Sequence, residues 1–235
     1  MENDVTDPKI KDRREFLAQV VTAAAVVAST GCATPLAAAS SGATSTSTSA
    51  PFDDSWTRRV SAAKHRAVFD SPDINEGLAL VHATFYRQGY QEQFGLGPSD
   101  VIPVVVFRHV GTVMAFDDAL WAKYALSERS KLIDPATGKE AVRNPFIRVA
   151  KDDKNAMVPA DASIEALAAN GVVMLVCNKA TMRLAGQVAA KFGKPVEEVR
   201  AEFRAAVLPG VLLQPSGIYA VMRAQDVGCG FLKST

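Results

Sequence analysis

The sequence predicts an α/β fold, a three-layer α/β/α sandwich on a mainly parallel sheet of about five strands. Three observations carry that expectation. Two runs, VIPVVVF at 101–107 and GVVMLV at 171–176, are almost wholly apolar and rich in β-branched residues, as strands buried on both faces are. Stretches with helical spacing of apolar side chains lie between the strand candidates, the alternation of a parallel sheet with its crossover helices. Glycine and proline punctuate the chain where one element should give way to the next.

Residues 65–69 (HRAVF) form the first strand candidate, stopped by Asp70-Ser71-Pro72. Residues 75–94 place Leu78, Val81, His82, Phe85 and Tyr86 at helical spacing, and Gly95-Leu96-Gly97-Pro98 ends that helix. The strand at 101–107 follows, then a helix over 117–126 with Trp121 and Tyr124 available for packing. Residues 127–160 break the rhythm. They contain the turn signal Asp134-Pro135-Ala136-Thr137-Gly138 and then Arg143-Asn144-Pro145-Phe146, and read as an insertion: a functional or oligomer-forming segment, or a tolerated surface loop. Regularity returns with a short helix at 162–169, the strand at 171–176, a helix at 179–192 closed by Gly193, and a helix at 196–206. The strand GVLL at 210–213 leads through Gln214-Pro215-Ser216-Gly217 into a helix at 218–224, and residues 229–233 make the terminal strand.

The first fifty residues have a different character. Asp12-Arg13-Arg14-Glu15-Phe16-Leu17 precedes an Ala/Val-rich stretch at 18–28 and the small residues Ser29-Thr30-Gly31-Cys32. A cationic region, a short apolar region and small residues make up an export signal, and the apolar part falls short of the roughly 20 residues a membrane span requires. Paired arginines followed by Phe-Leu resemble the twin-arginine signal. Export to the periplasm is therefore expected, with 1–39 as signal peptide, 40–60 as a flexible Ser/Thr/Ala linker, and 61–235 as the folded domain. Ala37-Ala38-Ala39 satisfies the small-x-small cleavage rule. Ser29-Thr30-Gly31-Cys32 offers an alternative, a lipobox-like run with Ser29 in place of the usual leucine, which would lipidate Cys32.

Composition narrows the partners. The 235 residues carry 26 basic and 25 acidic side chains, a net charge of +1, with no excess of positive charge to hold a phosphate backbone, so nucleic acid is excluded as an expected partner. Membrane contact is expected only if Cys32 is lipidated. Three cysteines cannot all pair internally.

In open α/β sheets ligands bind at the carboxyl ends of the strands. Two residues with useful chemistry sit there. Cys177 directly follows the strand at 171–176 and precedes a helix, so its thiol feels the positive end of the macrodipole, which favours the thiolate. His109 follows the strand at 101–107 and is suited to proton exchange with a nearby thiol or its substrate. Both also admit structural readings, Cys177 as inert core and His109 as the cap of a strand end. Arg108, Lys179 and Arg183 near the same edge suit a small anion. Cys229, between two glycines at the start of the last strand, belongs at the opposite edge, too far for a disulfide with Cys177. The sequence has no CxxC, no HExxH and no GxSxG, no GxGxxG after a strand, and no residue set that names a cofactor.

Read together, the runs ANGVVMLVCN at 169–178, LPGVLLQPSGIY at 208–219 and AQDVG at 224–228 resemble the DsrE/DsrF-like family in order and spacing. The resemblance spans 64–233, with the 127–160 segment as the insertion of an exported branch. It implies sheet order 4-3-2-1-5, which makes the strands ending at His109 and Cys177 neighbours. It also implies an oligomer, and a strand-end cysteine, here Cys177, that carries sulfur as a persulfide. The expected function is sulfur handling or thiol redox chemistry through Cys177 and His109, on a small sulfur species. The alternatives are a non-catalytic module that binds a small ligand at the same edge and a structural oligomer subunit. Characterised carriers of this kind are cytoplasmic, whereas this chain reads as exported, and the insertion is expected beside the site.

Overall fold

The computed structural model describes residues 52–235; the expected signal peptide, Cys32 and most of the expected Ser/Thr/Ala linker lie outside the described residues. Its sheet has five strands, all parallel: β1 (His65–Ser71), β2 (Val101–Phe107), β5 (Val173–Cys177), β6 (Val211–Gln214) and β7 (Gly230–Lys233), in the order β6-β5-β2-β1-β7. Two-residue strands β3 (Ile133–Asp134) and β4 (Lys139–Glu140) form a separate antiparallel hairpin. Helices cover both faces of the large sheet, giving the three-layer α/β/α sandwich that the sequence predicts. Counting the five strands along the chain, the order is 4-3-2-1-5.

The central position of β2 follows from its composition. All seven of its residues are buried, which an unbroken apolar strand requires and an alternating one would not tolerate. Pro103 is accommodated because it precedes the stretch, Val104–Phe107, where β5 joins, so at Pro103 β2 has a neighbour on the β1 side only. One face of the sheet is packed by α2 (Leu78–Phe94), α3 (Asp118–Tyr124), α5 (Ile164–Ala169), α6 (Asn178–Phe192) and α7 (Val196–Ala205) around Phe107, Trp121, Met174 and Phe203. A four-residue helix, α4 (Ser127–Ser130), follows α3. The other face is covered by α1 (Trp56–Ala62) and α8 (Gly217–Asp226), with Trp56, Val60, Ala220 and Ala224 against Val68, Val104 and Leu175.

Two expectations are corrected. Residues 56–60, expected in the linker, instead begin a helix that runs to Ala62 and whose Trp56, Thr57 and Val60 are buried. Asp54 accepts a bidentate bond from Arg223 of α8, and the Gln214 amide donates to the Asp53 carbonyl at 2.8 Å. Among the described residues two helices flank this face, so the apolar side chains of α1 complete a cover that α8 alone leaves open. The second correction concerns the insertion. It is anchored in the main core rather than laid loosely on the surface, with Ala141, Phe146, Ile147 and Val158 buried there while 135–140 and 150–155 stay exposed, and it does not line the cavity described below. Asn144, fully buried, organises it. Its side-chain amide donates to the Met114 and Phe116 carbonyls at 2.8 Å each, and its Oδ1 accepts from the Phe146 N–H. Gly77 reflects the same packing, since a Cβ there would stand 2.5 Å from Val158 Cγ1 and the residue has φ +81°. Among the described residues no helix is long and apolar enough to cross a membrane.

Candidate functional site

Three chain segments converge at the carboxyl edge of the sheet. Strand β2 ends at Phe107, whose register partner on β5 is Val176, so Arg108 and Cys177 emerge side by side. Cys177 pairs in turn with Gln214 of β6, beyond which Ser216 and Gly217 start α8. Between them lies a cavity of about 270 Å³ lined by Arg108, His109, Cys177, Lys179, Arg183 and the Ser216–Ile218 segment.

Cys177 is the N-cap of α6. Its Sγ accepts the Ala180 N–H at 3.2 Å, and its carbonyl accepts the Thr181 hydroxyl at 2.9 Å. A backbone in the extended region at Cys177, followed at once by helix, is the usual geometry of an N-cap, with sulfur here in the place of the usual serine or aspartate oxygen. The residue is 7% exposed, and that exposure opens on the cavity. The second helix to point into the cavity, α8, is capped by Ser216, whose hydroxyl accepts the Tyr219 N–H.

Arg108 is held by a carboxylate that sequence reasoning missed. Asp70, at the carboxyl end of β1 and buried, accepts Arg108 Nε at 2.6 Å and Nη2 at 2.7 Å. This bidentate pair raises the Arg108 pKa above the ordinary guanidinium value against the opposing effect of burial. The signal was present: an aspartate at the end of one strand and an arginine just past the end of the next are brought together by parallel pairing once β1 and β2 are neighbours. Gly217 permits the arginine's position, since a Cβ on it would stand 2.4 Å from Arg108 Cβ.

His109 has φ +53° and is exposed. The following residues turn back, with the Val110 and Gly111 N–H groups donating to the Pro72 carbonyl. Its ring makes no hydrogen bond among the described residues and borders the cavity, so it is not the strand-end cap of the structural reading. Lys179 and Arg183, one turn apart on α6, are exposed at the cavity and have no ion-pair partner among the described residues. With Arg108 neutralised by Asp70, they give the cavity its net positive charge, to which the amino ends of α6 and α8 add.

All five residues the sequence placed at this edge, Arg108, His109, Cys177, Lys179 and Arg183, thus surround one cavity. Cys229 does not. It is buried before β7, near the amino end of β1, and both described cysteines are free. Among the described residues no group of three or more His, Cys, Asp or Glu side chains is placed to hold a metal ion. No family model, curated protein or solved structure matches the chain.

Proposed function

We propose that this chain is an exported protein of the DsrE/DsrF-like kind that handles sulfur or exchanges thiols through Cys177. The observation that supports the reading best is the convergence of three strand-end loops on the Cys177 sulfur, which caps α6 and opens on a cationic cavity. The chemistry is sulfur transfer from a low-molecular-weight persulfide, R–S–SH. The Cys177 thiolate attacks the outer sulfur, the donor S–S bond breaks, R–S⁻ leaves and Cys177 becomes Cys–S–SH. No external oxidant enters, because the sulfane sulfur changes partners without change in the electron count. His109 takes the thiol proton and returns it to R–S⁻, while Lys179 and Arg183 attract the anionic donor. Export is supported by the Arg13-Arg14 signal and the apolar run behind it.

The test is intact mass of the full chain, in a Cys32→Ser, Cys229→Ser background, after incubation with cysteine persulfide. A gain of about 32 Da, one sulfur atom, lost in Cys177→Ser is the expected result. Absence of the adduct in the parent overturns the reading. A second reading, binding of a small anion with Cys177 only as wall, is favoured by Lys179 and Arg183, which have no ion-pair partner among the described residues. It requires that Cys177→Ser keep the ligand and Lys179→Ala, Arg183→Ala lose it.

A further inference from the structure

The Cys177 cavity has a neighbour. Arg108 and Ile218 also line a second cavity, of about 290 Å³, that runs along α8 over Val221 and Met222 to Phe231 of edge strand β7. The two cavities adjoin across that shared pair, and their chemistry is opposite. On the Cys177 side stand Lys179 and Arg183, without ionic partners among the described residues. On the other side, Ile218 is 70%, Met222 54% and Phe231 50% exposed, three large apolar side chains in a row. Among the described residues Asp70 is the sole acidic residue lining either cavity, and both of its oxygens are taken by Arg108.

We propose that the ligand of this site is an amphipathic organic anion. Its charged head lies at Lys179 and Arg183 beside Cys177, and its apolar substituent lies in the groove between α8 and β7. The inference rests on the proposed function only for the sulfur of the head group; the division into cationic and apolar halves stands on the side chains themselves. Charge complementarity argues for a small anion over a second copy of the chain. A twofold contact is self-complementary, so centring it on this groove would bring two Lys179/Arg183 clusters together with no free carboxylate in either cavity to separate them.

The probes are octanoate and acetate, titrated calorimetrically into the full chain. Octanoate is expected to bind at least about tenfold more tightly, the effect of burying some two methylenes. The double variant Met222→Ser, Phe231→Ser is expected to bring the two within about threefold, and Lys179→Ala, Arg183→Ala to weaken both. Met222 and Phe231 are half exposed, so their replacement leaves the core intact, which a urea melt checks. Equal affinity for the two carboxylates, or a ratio untouched by the Met222/Phe231 variant, overturns the proposal. So does a dimer in sedimentation that this variant dissociates, which would make the groove a subunit contact. Binding to phosphatidylglycerol vesicles through Met222 and Phe231 without octanoate preference overturns it in favour of a membrane surface. Persulfide loading is read on the same preparations. Loading without octanoate preference sinks this inference and spares the sulfur reading; octanoate preference without loading does the reverse.

Discussion

Gly217 and Arg108 are packed so closely that neither side chain can be chosen independently. Gly217→Ala puts a methyl group 2.4 Å from Arg108 Cβ, where something must move. Because Arg108 is anchored by Asp70, the variant should lose roughly 1–3 kcal/mol of stability in urea unfolding, the range for overpacking a tight site. A drop below a few tenths of a kcal/mol would show that the α8 amino end shifts freely. At the far edge of the sheet, burial pushes the Cys229 thiol up from 9.0 to about 11, with Arg66 opposing. A folded-state value above the unfolded one means that the stability is fully present below about pH 9 and is lost as pH rises towards 11. The urea midpoint of the parent should therefore fall between those values, and Cys229→Ala should flatten the fall. An unchanged alkaline slope in that variant would assign the loss to other groups.

At the scale of elements, the strands announced themselves and the connections did not. Val101–Phe107 was legible residue for residue because an unbroken β-branched run has one favourable environment, the middle of a parallel sheet. The insertion was not legible, since its order comes from contacts made elsewhere: Asn144 ties it to the Met114 and Phe116 carbonyls, some thirty residues back. Asn144→Ala strands those two carbonyls and the Phe146 N–H in a dry core, at a cost of roughly 3 kcal/mol, read as a lower urea midpoint. A loss under 1 kcal/mol would mean that the segment is held by its apolar side chains alone. The short helix at 56–62 was hidden for a related reason. Seven residues carry too little periodicity to stand out beside a Ser/Thr-rich tract, and Trp56 is its main anchor.

For the molecule as a whole, the unequal covering of the two sheet faces has a consequence. Among the described residues five helices pack one face and two pack the other, so the α1 side chains close a core that would otherwise meet water. Trp56→Ala should cost roughly 3–5 kcal/mol, the usual range for a buried tryptophan, and should shift the tryptophan-independent circular-dichroism melt as one transition. A biphasic melt would show that α1 detaches before the sheet unfolds.

The sequence by itself determined the layer architecture, the parallel sheet and the edge at which Cys177 and His109 stand, because hydrophobic periodicity and strand-then-helix order are local properties. It also brought Arg108, Lys179 and Arg183 to that edge, since each lies within two turns of a strand end. Only the tertiary structure decided that Asp70 neutralises Arg108, that the insertion belongs to the core rather than the site, and that an apolar groove along α8 adjoins the cationic cavity. Each of these depends on which strand lies beside which. Parallel pairing joins residues 38 apart, as with Asp70 and Arg108, and local side-chain periodicity does not say which strands become neighbours.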